Sequence, residues 1–143
     1  MASTDPHRML NGATIISRRV ETGQTVRGGF AVKFGSSEDD IREAGANSEL
    51  AIGVAHKPGK TYAAGEMVEI ICANAVVPVV VGTGGCTAGK DARMISDGFT
   101  DVPAFDAAGA TVVPVIGKFL QTGVAGDHVG MVIPGGLSYR IAT

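Results

Sequence analysis

The chain has 143 residues, 45% of them hydrophobic, with 21 glycines, no tryptophan and a formal net charge of −2. That length suits one domain with its own core, and the apolar content is sufficient for folding without a metal or a disulfide framework. The balanced charge, with a single basic doublet at Arg18 and Arg19, excludes a nucleic-acid-binding protein that depends on clustered Lys and Arg.

The first twelve residues are polar, include Pro6 and show neither helical nor strand periodicity. We expect residues 1–12 to form an extended N-terminal arm that becomes ordered on a partner, and residues 13–143 to form a single domain. The arm lacks the apolar segment of a secretory signal, and no stretch approaches the roughly 20 apolar residues that span a membrane. The sequence therefore predicts a soluble protein made in the cytoplasm, with no membrane partner and with Cys72 and Cys86 reduced.

Strand-like runs alternate with turn residues at a spacing of roughly 8–12 residues from Ala13 onward, which is typical of β-sandwiches and β-barrels. Residues 37–44 fit either a short helix, capped by Ser37 and ended by Gly45, or a solvated loop or turn. Residues 97–110 predict a long loop because they contain two glycines and a proline. The predicted strands are residues 13–20, 30–34, 50–55, 67–72, 76–81, 91–95, 112–120, 129–133 and 137–142.

An internal repeat supports this interpretation. A glycine is followed three and five residues later by apolar side chains at Gly29, Gly65, Gly89 and Gly126. Apolar positions two residues apart lie on one face of a strand, and a glycine ahead of them suits a turn with a positive φ angle. Two longer units, near residues 50–71 and 113–133, both have the order strand, loop, Ala-Gly-acid turn, strand. We therefore predict an all-β fold, a compact β-barrel or β-sandwich with two related halves and the extended arm.

The candidate motifs for chemistry are weak. Gly84–Lys90 matches the start of a phosphate-binding P-loop, but Asp91 takes the place of the hydroxyl residue and no helix-length segment follows, so we interpret it as a turn. His7, His56 and His128 show no metal-binding spacing, and no nucleophile elbow is present. The sequence predicts no catalytic residue, no cofactor and no metal site, and hence a protein that is not an enzyme.

The order of the glycine motifs resembles that of the small capsid cement (decoration) proteins of tailed bacteriophages, over about residues 20–134. The segment Gly35–Asn47 is longer than in that pattern. The matching segments are Gly53-Val-Ala with Ala64-Gly-Glu-Met-Val-Glu-Ile, then Thr87-Ala-Gly-Lys-Asp-Ala-Arg, and then Val115-Ile-Gly-Lys with Gly126-Asp-His-Val-Gly-Met-Val-Ile.

This resemblance implies a structural virion protein on the outer surface of a phage head. It would stabilise contacts between subunits of the major capsid protein, commonly as a homotrimer over three-fold positions, with no nucleic-acid partner. A polar arm can become ordered on a neighbour by adding strand-type hydrogen bonds at a sheet edge. The expected capsid-contact residues therefore lie in the arm, at Thr4, Asp5, Pro6, His7, Arg8, Met9 and Leu10.

Two other classes of binding module remain open. A host- or carbohydrate-binding head-fibre module would need exposed aromatic rings for sugar stacking, and the chain offers Tyr62, Tyr139 and five phenylalanines. A lipoyl-like carrier barrel also uses Gly-Asp-x-Val turns in repeated halves. Its modified lysine lies at a hairpin tip in an Asp-Lys-Ala or Met-Lys-Met context, which none of the lysines has.

Overall fold

The computed structural model describes residues 13–48, 50–103, 111–134 and 138–142. These residues form strands and turns, so the predicted all-β class is confirmed, and they include no helix long and apolar enough to cross a membrane. The strands are β1 (Thr14–Val20), β2 (Val26–Arg27), β3 (Ala31–Phe34), β4 (Asp40–Glu43), β5 (Gly53–Ala55), β6 (Thr61–Tyr62), β7 (Met67–Ala73), β8 (Ala75–Val80), β9 (Asp91–Ile95), β10 (Gly98–Asp101), β11 (Thr111–Val115), β12 (Gly117–Phe119), β13 (His128–Ile133) and β14 (Ser138–Ala142).

The first half of the chain forms a closed barrel. Its strands follow the order β1-β4-β3-β5-β7, and β7 pairs back onto β1 in the antiparallel direction. Alternate side chains point inward and fill the barrel with apolar groups, so its interior is a packed core. The buried residues of this core are Val20, Val26, Val32, Ile41, Ala55, Tyr62, Val68 and Ile70.

The second half forms a five-stranded sheet in the order β10-β9-β12-β13-β8. A parallel bridge between Val81 and Phe99 brings its two edges together. Its inward side chains belong to one large cluster that also contains outward-facing residues of the first barrel, including Val54 and Ile71. The two halves therefore share a core. Strands β11 and β14 form a separate two-stranded ribbon.

The two halves are copies of one topology. We call residues 14–73 the first repeat and residues 75–133 the second repeat. Strands β1, β3, β4, β5 and β7 correspond to β8, β9, β10, β12 and β13, and even the parallel contact of Val20 with Ile41 has its counterpart in the bridge of Val81 with Phe99. Matching pairs in register are Val32–Gly53 with Ala92–Gly117, Val54–Ile71 with Lys118–Val132, and Arg19–Met67 with Val80–His128.

The repeated glycines have the conformation that the sequence predicts. Gly29, Gly65, Gly89 and Gly126 have φ angles of 80°, 86°, 83° and 91°. A side chain is strained at these angles, which explains why glycine recurs there. The predicted two related halves are thus confirmed, and each related unit is longer than the segments 50–71 and 113–133 that revealed it.

Three predictions of local structure were wrong in part. The segment 37–44 is an exposed turn, as predicted, only over residues 37–39, because it then continues into β4, where Ile41 is buried and pairs with Phe34. Part of the predicted loop 97–110 is β10, which pairs with β9, and residues 104–110 lie outside the described part. The predicted strand 112–120 is two strands, since Ile116 turns the chain from the ribbon to the second sheet and donates its N–H to Ala92 O at 2.9 Å.

Candidate interaction surfaces

The predicted arm and its contact residues Thr4–Leu10 lie outside the described residues. The described chain begins beside the junction of the two repeats. Thr14 pairs with Ala73 at the end of β7, and the next residue, Asn74, donates its backbone N–H to Pro134 O at 3.4 Å. Any contact made by the arm therefore starts from the region where the repeats are joined.

The histidines are not gathered into one site. His56 Nδ1 lies 3.3 Å from Glu69 Oε2, and the Tyr62 hydroxyl donates to the His56 carbonyl at 2.8 Å. His128 is exposed on the outer face of β13, and His7 lies outside the described residues. Across residues 13–48, 50–103, 111–134 and 138–142, no three His, Cys, Asp or Glu side chains are arranged to hold a metal ion.

The P-loop-like segment is a connection between strands. Cys86 and Gly123 exchange both backbone hydrogen bonds, at 2.9 and 3.1 Å, in the place where the first repeat pairs Val26 with Tyr62. Burial raises the pKa of the Cys86 thiol, which favours an unreactive protonated side chain. The segment therefore has a structural part in the second repeat, which agrees with its interpretation as a turn.

The two repeats contact each other through backbone hydrogen bonds. Val80 of β8 donates its N–H to Gly29 O at 3.2 Å. Asn47 of the first repeat donates to Met94 O at 2.9 Å, and Met94 is buried. The glycine permits this approach, because a Cβ at Gly29 would lie 3.0 Å from a methyl group of Val80.

Arg27 joins the two repeats at the edge of this contact. Its guanidinium forms two hydrogen bonds to Glu43, at 2.8 and 3.0 Å, and lies 3.8 Å from the centre of the Phe30 ring. It also donates to Ser96 O of the second repeat at 3.0 Å. The hydrogen bond with Glu43 raises the pKa of Arg27. A bidentate pair with a stacked ring holds the arginine in one orientation.

Two different surfaces meet at this contact, the receiving face of the first repeat and the docking end of the second repeat. The receiving face of the first repeat consists of outward side chains that are at most 4% exposed, namely Phe30, Ala31, Val54 and Ile71. The docking end of the second repeat consists of residues at or beside one end of its sheet that reach the first repeat, namely Val80, Met94, Ser96 and His128.

Among the described residues, no repeat packs against the docking end of the first repeat. By register its residues are Arg19, Phe34, Ser36 and Met67. The Phe34 and Met67 side chains are 41% and 62% exposed, and Met67 lines a shallow cavity of about 300 Å³ together with Asp39. These two side chains are large apolar groups on a surface whose counterpart in the second repeat is a contact surface.

In the described part of the chain, no repeat packs against the receiving face of the second repeat either, and β11 borders this face through Val115. By register it consists of Lys90, Asp91, Lys118 and Val132. A groove of about 310 Å³ runs along it, with Lys118 and Asp91 at its rim, 3.9 Å apart. The apolar lining of this groove is formed by Val115, Leu120, Val132 and Pro134.

Matching carboxylates fasten the hairpin tips of both repeats. Glu21 accepts hydrogen bonds from the backbone N–H, at 2.8 Å, and the hydroxyl of Ser36. Asp97 accepts the N–H and the hydroxyl of Thr83. These hydrogen bonds lower the pKa of Glu21 and that of Asp97. The position of the carboxylate is exchanged between the repeats, since Glu21 precedes its hairpin and Asp97 lies within its own.

Sequence reasoning missed the exposed apolar residues Phe34, Met67 and Leu120. The glycine motifs carry the signal that identifies two of them. Aligning Gly29 with Gly89 places Phe34 opposite Met94, and aligning Gly65 with Gly126 places Met67 opposite His128. The alignment gives the equivalence. Packing of the repeats then buries Met94 and leaves Phe34 exposed, whereas Met67 and His128 are both exposed.

No protein-family model and no curated protein matches this chain. Among solved structures, its fold is similar to the crystal structure of the head fibre gp8.5 N base of bacteriophage phi29. The TM-score is 0.56 at 17% sequence identity, and the match covers 85% of this chain and 93% of the other. The structural likeness shows that the two proteins share a fold, and at this low sequence identity it shows the fold alone.

Proposed function

We propose that this protein is a structural component of a phage virion that binds the outside of the head and stabilises contacts between major capsid protein subunits, without catalysis. The observation that carries the proposal is the likeness of its fold, over 85% of the chain, to the base of a phage head fibre. The order of the glycine motifs, which resembles that of capsid cement proteins, supports the same location.

The architecture suits such a role. Both sheets have interiors filled with apolar side chains, so recognition in the described part falls to the outer surfaces. The closed barrel of the first repeat also hides strand edges that would otherwise pair with unrelated chains. As the resemblance implies, we propose that copies assemble as homotrimers, because several weak contacts around a symmetric position give strong attachment.

The direct test uses heads assembled without this protein. Purified protein should sediment with these heads and raise the temperature at which they disassemble, measured by calorimetry. Its effect should reach a plateau when the outer sites are occupied. Protein that neither sediments with heads nor changes their melting would contradict the proposal.

Residues 1–12 are the proposed capsid-contact arm. Deleting them should weaken binding to heads by at least about tenfold if strand-type hydrogen bonds of the arm carry the attachment. The barrels should melt at the same temperature with and without the arm, which circular dichroism can check. Equal affinity of the deleted and complete chains for heads would show that the contact lies elsewhere.

A second candidate function is a head-fibre module that binds host or carbohydrate, and the head-fibre part of it is favoured by the similarity to the base of a phage head fibre. Sugar stacking needs exposed rings. Tyr62 is 5% exposed and its hydroxyl is bonded to the His56 carbonyl, whereas the Phe34 ring is 41% exposed and is open to such a contact. A glycan array separates the candidates, because a carbohydrate-binding module gives saturable signals that a capsid clamp does not.

A further inference from the structure

The contact between the repeats is heterologous, meaning that it joins two different surfaces. The receiving face of the first repeat meets the docking end of the second. Since the repeats share a topology, each carries both surfaces, and one contact uses only one of each. A heterologous contact between like units leaves one unsatisfied surface at each end of the assembly.

Those two unsatisfied surfaces still have a partly apolar character. Phe34 and Met67 project at the free docking end, and Leu120, which is 50% exposed, lines the groove of the free receiving face. The described chain also leaves space beside the backbone at Gly89, on the free receiving face. A Cβ at Gly89 would meet nothing within 4 Å, whereas its counterpart Gly29 lies against Val80.

The free surfaces differ from the buried ones in their charges. Lys90, Asp91 and Lys118 stand where the first repeat has Phe30, Ala31 and Val54. Charges at the rim with apolar groups inside are typical of contacts between separately folded chains, whose cores are less charged than their rims.

The hairpin between β3 and β4 supplies the complementary charge. Counted between the matching pairs Phe34–Ile41 and Met94–Phe99, it is two residues longer than the hairpin between β9 and β10, and its Glu38 and Asp39 are exposed. Asp39 lines the same cavity as Met67, together with Arg18 and Arg19, and Lys118 lines the same groove as Leu120, together with Asp91. Each surface therefore combines apolar groups with charges of both signs, so that Asp39 can face Lys118 while an arginine faces Asp91.

We infer that the free docking end of one chain binds the free receiving face of a second copy, so that copies associate head to tail. Met67 and Phe34 contact the groove beside Leu120, and Asp39 lies near Lys118. The Val80 N–H forms a hydrogen bond across the repeats, but the equivalent Arg19 N–H already donates to Asp39 O at 3.3 Å within its own repeat. The contact between copies therefore relies on side chains. This inference rests on the self-association within the proposed function, and capsids have no part in its test.

Sedimentation of the complete chain in solution, over micromolar to millimolar concentrations, tests this arrangement. Met67→Glu alters the docking end and Leu120→Glu alters the groove, and each should weaken self-association at least about tenfold. Val124→Glu is the matched control, since Val124 is 69% exposed and its counterpart Ala63 is exposed as well. The control should associate like the unaltered chain, and association should weaken with added salt.

An equal mixture of the Met67→Glu and Leu120→Glu chains gives the decisive result. The Met67→Glu chain keeps an intact groove and the Leu120→Glu chain keeps an intact docking end. The mixture should therefore form pairs of one chain of each kind and no larger assembly. Three results would overturn the inference: an unaltered chain that stays monomeric, variants that associate normally, or a mixture that remains monomeric. Failure here would leave the capsid-melting experiment to decide the proposed function separately.

Discussion

The first and second repeats have the same strand order and register, but their equivalent outward faces have different surroundings. Val54 is fully buried against the second repeat, whereas its counterpart Lys118 is exposed beside a groove. The glycines and the pairing register therefore determine the strand order of each repeat, and the neighbouring repeat determines which outward positions are apolar. Apolar residues occur where a neighbour is present, and charged residues surround the groove where none is described.

The largest effect is expected from exchanging the residues at this equivalent pair. Val54→Lys places a charge in the shared core without a partner, and we expect a loss of about 4 kcal/mol of unfolding free energy or no folding at all. Lys118→Val should change the unfolding free energy by less than about 0.5 kcal/mol, since the side chain is exposed.

Urea denaturation of both variants measures this asymmetry. Equal effects of the two substitutions would mean that the two faces are covered alike, which contradicts the packing of the repeats. Lys118→Val should also weaken self-association and reduce its dependence on salt, because it removes the lysine that lies near Asp39 of the second copy.

The next effect comes from the paired glycines of the short strands β5 and β12, where the repeats should behave alike. A Cβ at Gly53 would lie 2.5 Å from Ile71 O, and one at Gly117 would lie 2.3 Å from Val132 O. Both alanine variants should lose about 3 kcal/mol, because a backbone oxygen cannot move aside without breaking the ladder.

Gly65→Ala is the matched control for these two variants. Its φ of 86° is strained for alanine, but nothing lies within 4 Å, so the cost should be only about 1–2 kcal/mol. A Gly117→Ala chain as stable as the parent, beside a damaged Gly53→Ala chain, would break the equivalence of the repeats.

The smallest effect concerns how much the hydrogen bonds of Glu21 to Ser36 and of Asp97 to Thr83 stabilise the fold as the pH falls. The folded pKa of Glu21 and that of Asp97 lie below their usual values, so their contribution is complete above about pH 4.5 and is lost as the pH falls through the folded pKa. Glu21→Gln and Asp97→Asn should each make the melting temperature fall less steeply between about pH 5 and pH 3 than in the parent. Parent and variant curves that stay parallel through this range would show that these hydrogen bonds do not contribute.

Much of the fold is predictable from local sequence because its information is local. Strands β3, β7, β9 and β13 follow their glycines at fixed spacing, and a positive φ angle identifies each turn. Strands β4 and β10 were missed because their pairing partner decides their structure. In β4 the charged residues Asp40, Arg42 and Glu43 surround the single buried Ile41, a pattern that a solvated turn also shows.

The interaction surfaces were less accessible to sequence reasoning. Phe34 and Met94 occupy equivalent positions and are both apolar, yet Phe34 is 41% exposed and Met94 only 2%. Burial at this position depends on Asn47 and its neighbours in the other repeat, which lie about fifty positions from Met94 in the chain. Hydrophobicity alone therefore identifies the end of the strand, but it cannot tell that this position is exposed in the first repeat and buried in the second.

Electron cryomicroscopy of phage heads saturated with this protein is the most direct test of the proposed function and of the proposed head-to-tail contact. We expect density for the two repeats of each copy on the outer capsid surface, with the docking end of each copy against the receiving face of the next. Heads without added density, or copies that meet through two identical surfaces, would contradict it.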